Sequence, residues 1–65
     1  MKSFSGDALR VKRLARGFTQ KSLSKAIETH ERTLQRWEAG EFEPSATYLL
    51  RILICLDCSA EDLQQ

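Results

Sequence analysis

The sequence has little of what a membrane, secreted or fibrous protein needs. No apolar run approaches the roughly 18 residues of a membrane-spanning helix. The N-terminal stretch is amphipathic and basic, and it lacks the uninterrupted apolar centre of a secretory signal. With one proline, three glycines and 29% charged residues, the composition excludes a collagen-like or disordered chain. These absences predict a small globular protein of the cytoplasm.

The chain is also short and lacks any recognisable arrangement of catalytic groups. Its 65 residues suit a single domain over residues 1–65. Cys55 and Cys58 have C-x-x-C spacing, but a zinc site needs four ligands and His30 is the only histidine. We find no glycine-rich phosphate loop and no recognisable spacing of nucleophile and base. We therefore expect no enzyme activity, metal, cofactor or small-molecule ligand.

Charge is distributed unevenly along the chain, although the formal net charge is only +1. Residues 1–40 contain nine Lys and Arg against four Asp and Glu. Residues 41–65 contain a single base, Arg51, and the acids Glu41, Glu43, Asp57, Glu61 and Asp62. A polyanion would be attracted to the first region and repelled by the second. A charge-mixed surface without a partner remains the alternative on this evidence.

Apolar spacing predicts an all-α, compact five-helix domain, because no segment alternates apolar and polar residues as a half-buried strand does. Stops at glycines and caps at Ser and Thr place the helices at about 7–16, 20–27, 31–38, 46–56 and 60–64. The helices at 20–27 and 31–38 are too short to be stable alone and are joined by about three residues. This pattern predicts a helix-turn-helix held by the surrounding helices.

The helix at 31–38 carries the side chains that a DNA-reading helix needs. Leu34 and Trp37 lie on one side, and polar residues occupy the rest, namely His30, Glu31, Arg32, Thr33, Gln35 and Arg36. A helix of this length can enter the major groove, which is about 12 Å wide. Arg32 and Arg36 share a face, and an arginine can donate to both O6 and N7 of guanine. Double-stranded DNA is therefore the predicted partner.

Three segments in register resemble the phage repressor and Cro-like helix-turn-helix domains, over about residues 6–63. They are Leu9-Arg10-x-x-Arg13-x-x-x-Gly17-Phe18-Thr19-Gln20, then Thr33-Leu34-x-Arg36-Trp37-Glu38-x-Gly40, and then Pro44-Ser45. The resemblance implies that Gln20 binds a DNA phosphate and that Arg13 and Glu38 pair inside the fold. The complete predicted DNA-binding set is Gln20, Lys21, His30, Glu31, Arg32, Thr33, Gln35 and Arg36.

Three departures from the family pattern lead to expectations of their own. Glu28 stands where the turn usually has glycine, and a left-handed conformation costs a non-glycine residue roughly 1–2 kcal/mol, so we expect an altered turn. Ser24 stands at the tight helix crossing, where we expect its hydroxyl to donate a hydrogen bond to a backbone carbonyl one turn back. The loop after residue 38 reads Glu41-Phe42-Glu43, which predicts weaker affinity for DNA.

Our interpretation is a sequence-specific DNA-binding regulator of transcription in a bacterium or phage, acting as a homodimer on DNA. Tyr48, Ile54 and Cys55 lie partly off the core stripe of the helix at 46–56 and could form the self-association surface. The alternative is a protein-interaction module, antitoxin-like or an assembly adaptor, that uses the same fold without specific DNA binding. The acidic C-terminal region would then be its contact surface.

Overall fold

A computed structural model describes residues 3–64, which form four α-helices and one 3-10 helix. The α-helices are α1 (Gly6–Ala15), α2 (Gln20–Ala26), α3 (Glu31–Glu38) and α4 (Ala46–Leu56), and the 3-10 helix covers Ala60–Leu63. The predicted all-α class is confirmed, and the predicted bounds of α3 and α4 are met to the residue. Helix α1 begins and ends one residue before its predicted bounds, and α2 ends one residue early.

The last element is not the fifth α-helix that we predicted over residues 60–64. The turn begins as predicted, since the backbone N–H of Ser59 donates to the Asp62 carboxylate at 3.0 Å. The chain then becomes extended at Gln64, which forms an antiparallel bridge with Phe4, while Ser5 N–H donates to the Leu63 carbonyl at 2.7 Å. This pairing with the N-terminal segment ends the helix after one turn.

Every element contributes to one hydrophobic core. Its eight buried side chains are Leu9, Leu23, Ile27, Leu34, Trp37, Ile52, Leu56 and Leu63. Several partly buried apolar residues pack against this core, including Tyr48 and Cys55 of α4. Helices of seven and eight residues, such as α2 and α3, are unstable in isolation. Their stability therefore comes from the apolar side chains that they bury in this core.

The turn between α2 and α3 keeps the left-handed conformation that glycine would favour. Glu28 has a φ of 61°, so the expectation of an altered turn is wrong. Two side chains of α4 bind the carbonyl groups at this point: Arg51 donates to Ile27 at 3.1 Å, and the Tyr48 hydroxyl donates to Glu28 at 3.3 Å. The Arg51 guanidinium also lies over the Tyr48 ring, 5.2 Å from its centroid. Helix α4 thus braces a turn that is intrinsically strained for glutamate.

The tight crossing of α2 has the hydrogen bond that its serine requires. Ser24 is buried, and its hydroxyl donates to the Lys21 carbonyl at 2.8 Å, three residues back along the helix. At the start of α2, the Thr19 side chain accepts from Ser22 N–H at 2.9 Å, and Ser22 accepts from Thr19 N–H at 2.9 Å. This reciprocal cap fixes where α2 begins and so where Gln20 and Lys21 lie.

Candidate nucleic-acid interface

Helix α3 divides cleanly into a face inside the fold and a face outside it. Leu34, Trp37 and Glu38 are buried. Thr33 is half-buried, and the other predicted contact residues on this element are exposed, namely His30, Glu31, Arg32, Gln35 and Arg36. The structure therefore places the exposed members of this set together on the outer side of one helix. Two of them, Arg32 and Arg36, are one helical turn apart.

The N-terminus of α3 differs from those of the other α-helices. Ser5, Thr19 and Ser45 each accept a backbone N–H bond at the start of their helices, but His30 caps α3 without any side-chain hydrogen bond. The first turn of a helix has N–H groups without intrahelical partners and carries a partial positive charge. The His30 imidazole is thus uncommitted to the cap and lies beside Glu31 and Arg32 at the exposed start of this helix.

The N-terminus of α2 contributes the other two predicted residues. Lys21 is exposed and Gln20 is half-buried. The Gln20 side chain reaches α3, where its Nε2 donates to Oε1 of Glu38 at 3.0 Å. The implied contact between Gln20 and a DNA phosphate remains a prediction, but this bond already links the starting residue of α2 to the end of α3.

Arg13 and Glu38 form a buried ion pair between α1 and α3. Arg13 Nε lies 2.6 Å from Glu38 Oε2, and the side chains are only 7% and 4% exposed. A second guanidinium nitrogen donates to Oε1 of Glu38 at 3.2 Å, and the third donates to the Phe18 carbonyl at 2.9 Å. Such two-pronged arginine–carboxylate pairing fixes relative orientation as well as distance. Arg13 therefore ties α3 to the chain that leads into α2.

The sequence reasoning missed the contribution of α4 to this site. Arg51 and Tyr48 hold the turn before α3, whereas the sequence identifies Arg51 only as the single base of the acidic region. Their three-residue spacing places them on one side of α4, which was the available signal. The acidic loop residues Glu41 and Glu43 are both exposed directly after α3, and Phe42 between them is 45% exposed.

Two features are absent from residues 3–64, the part of the chain that the structure describes. In this part of the chain, no helix combines the length and the apolar character needed to cross a bilayer. Within the same residues, no three or more His, Cys, Asp or Glu side chains are grouped so that they could hold a metal ion.

Comparison with known proteins gives a consistent result. The helix-turn-helix family model matches residues 9–63. The P22 c2 repressor, solved in complex with a synthetic operator, is 28% identical with a TM-score of 0.85, over 94% of this chain and 92% of that one. The restriction-modification controller protein C.AhdI from Aeromonas hydrophila is 26% identical with a TM-score of 0.82, over 89% and 88% of the chains.

A third solved structure has higher sequence identity. The clp gene regulator ClgR from Corynebacterium glutamicum is 31% identical with a TM-score of 0.82, over 89% of this chain and, in its two crystal structures, 62% and 74% of that one. No curated protein sequence matches the chain significantly.

Proposed function

The chain belongs to the helix-turn-helix family of phage repressors and related regulators, and we propose that it regulates transcription by binding specific sites in double-stranded DNA. One observation carries this proposal: α3 turns His30, Glu31, Arg32, Gln35 and Arg36 outward while its opposite face is fixed in the core. A rigidly held helix with an exposed polar face is what major-groove reading requires. For a bacterial or phage regulator, the place of action is the cytoplasm.

In this proposal, the two helices of the motif have different tasks. Arg32 and Arg36 donate to guanine edges in the major groove, where an arginine can bond O6 and N7 together. Glu31 accepts from the amino group of cytosine, since a carboxylate would be repelled by phosphate. Gln20 and Lys21 at the positive end of α2 bind the DNA backbone, which positions the protein without reading sequence.

The test begins with sites selected from a random oligonucleotide pool, which identifies the sequence that the protein prefers. Fluorescence anisotropy would compare a selected and a scrambled duplex at about 50 and 200 mM salt. We expect tighter binding to the selected duplex and a decline of log K with log salt of about 0.9 per phosphate that a Lys or Arg neutralises. Arg36→Ala should weaken binding to the selected duplex more than the control Lys12→Ala, which also removes one positive charge but lies on α1. Equal affinity for both duplexes would contradict specific reading.

We also propose that two copies bind adjacent half-sites. The support is an apolar outer face on α4, where Leu50 is 60% and Ile54 is 78% exposed at positions one turn apart. Of the residues predicted for this surface, Ile54 is exposed, whereas Tyr48 and Cys55 are half-buried against the core. Sedimentation of the DNA complex should give two chains per site, and Ile54→Glu should reduce this to one. A single chain per site in the unmodified protein would rule the dimer out.

The protein-interaction module remains the second candidate, favoured by the same exposed α4 residues and by the acidic loop. It predicts weak binding to every duplex at low salt. The anisotropy titration therefore separates the two functions without knowledge of the protein partner.

A further inference from the structure

Glu38 has more hydrogen bonds than an ion pair requires. Its Oε2 accepts from Arg13 Nε at 2.6 Å, while its Oε1 accepts both from a second Arg13 nitrogen at 3.2 Å and from Gln20 Nε2 at 3.0 Å. The carboxylate is buried, but Gln20 is only half-buried. A buried charge is thus connected, through one side chain, to the surface at the start of α2.

The chemistry of the carboxylate decides which way the Gln20 amide faces. An ionised carboxylate can only accept hydrogen bonds, so the amide nitrogen rather than the amide oxygen must face Glu38. The nitrogen carries two N–H groups, and the bond to Glu38 uses one of them. The second N–H is left for another acceptor, and a phosphate oxygen is such an acceptor.

We propose that Glu38 is a positioning residue for DNA binding: the Arg13–Glu38 pair holds the Gln20 carboxamide so that its second N–H donates to a phosphate. This inference rests on the proposed function. Arg13 keeps Glu38 in place, and its bond to the Phe18 carbonyl also fixes the chain just before α2. The buried pair therefore acts on the interface through Gln20, although neither Arg13 nor Glu38 has to contact DNA.

The contact between Glu38 and Gln20 is expected to raise the affinity for DNA through preorganisation of the Gln20 side chain. A free glutamine side chain loses rotational freedom when it binds phosphate, and ordering one such side chain weakens affinity by about two- to tenfold. In this protein, the bond to Glu38 orders Gln20 before DNA arrives. A purely structural role, in which Gln20 merely ties α2 to α3, would alter stability but would not make the effect of Gln20 on DNA binding depend on Glu38.

A double-mutant cycle distinguishes these roles. The background variant is Arg13→Met with Glu38→Leu, because replacing both members of a buried pair by apolar residues is often neutral for stability. Gln20→Ala is then introduced into the wild type and into this background, and thermal melting confirms that all four proteins are folded. We expect Gln20→Ala to weaken DNA binding about tenfold in the wild type, the loss of one hydrogen bond to a charged group, and about threefold or less in the background.

Equal losses from Gln20→Ala in the two backgrounds would overturn the positioning role. If the wild type shows no salt-dependent DNA binding, then the proposed function fails instead, so the two failures are distinguishable. Gln20→Ala should leave the salt slope of the wild type nearly unchanged, because glutamine is uncharged and the slope reflects only phosphates neutralised by Lys and Arg.

A second measurement needs no variant and so does not depend on the background folding. NMR relaxation of the side-chain amides in the free protein would compare Gln20 with Gln35, an exposed glutamine on α3. We expect the Gln20 amide to be markedly more ordered than that of Gln35, and its resonances to shift when DNA is added. Equal mobility of the two side chains would contradict preorganisation.

Discussion

Helices α3 and α4 bury similar apolar stripes in the same core but present opposite chemistry to solvent. The outer face of α3 is polar and includes Arg32 and Arg36, whereas the outer face of α4 carries Leu50 and Ile54. Packing requirements alone would allow either helix to have either surface. This difference matches the two proposed contacts, one with a polyanion and one with an apolar surface.

The largest effect is expected from removing one member of the buried ion pair that holds α3 against α1. Arg13→Met alone should lower the free energy of unfolding by about 3–5 kcal/mol, because it leaves Glu38 buried without its partner. Urea unfolding measures this change. Arg13→Met with Glu38→Leu should recover most of the loss, and an unchanged urea midpoint for the single variant would contradict the energetic role of the pair.

The outer face of α3 can be tested without disturbing its anchor. Arg32→Ala and Arg36→Ala should each reduce binding to the specific site by about 1–3 kcal/mol if they read guanine. Melting temperatures should hardly change, since both side chains are exposed. A variant that weakens all duplexes equally, with a salt slope smaller by about 0.9, would identify a phosphate contact instead.

Charge reversal in the acidic loop after α3 tests whether this loop lies at the edge of the DNA-binding face. Glu41→Lys and Glu43→Lys should each tighten binding to specific and non-specific duplexes alike, with up to about 0.9 added to the salt slope for each new phosphate contact. Glu61→Lys makes the same charge change on the 3-10 helix and should have a smaller effect. Unchanged affinity at low salt would mean that this loop faces away from DNA.

The smallest effect is expected at Asp62, which lies in the 3-10 helix of the acidic C-terminal region. The backbone N–H of Ser59 holds the pKa of Asp62 below its ordinary value. A lowered folded-state pKa stabilises the protein above the ordinary aspartate range, and this contribution is lost as the pH falls through the lowered value. The melting temperature of Asp62→Asn should be slightly below that of the wild type at neutral pH, and the two should converge in acid. A constant difference at all pH values would contradict this account.

Local signals predicted the elements well, and long-range contacts account for the errors. Caps and stops such as Ser45 and Gly40 placed α3 and α4, because they act within one turn of the residues that they govern. The predicted last helix was wrong because its end is determined by Phe4, which is 60 residues away from Gln64 in the sequence.

In the candidate site too, local signals predicted part of the structure and contacts between distant residues were missed. Periodicity identified the exposed face of α3 because it depends only on spacing along one helix. The bond between Gln20 and Glu38 joins two helices across 18 residues, and the resemblance assigned each residue a separate role. The braces from Tyr48 and Arg51 to the turn likewise depend on how α4 packs, which no local pattern specifies.

The pairing of Phe4 with Gln64 also has a kinetic consequence. It closes a loop of nearly the entire described chain, whereas contacts within and between neighbouring helices close short ones. Loop-closure entropy grows with length, and distant contacts form slowly. The segments around Phe4 and Gln64 should therefore pair only after the helices have assembled, and each should protect the other from fraying, so that disrupting either one would increase amide exchange at both.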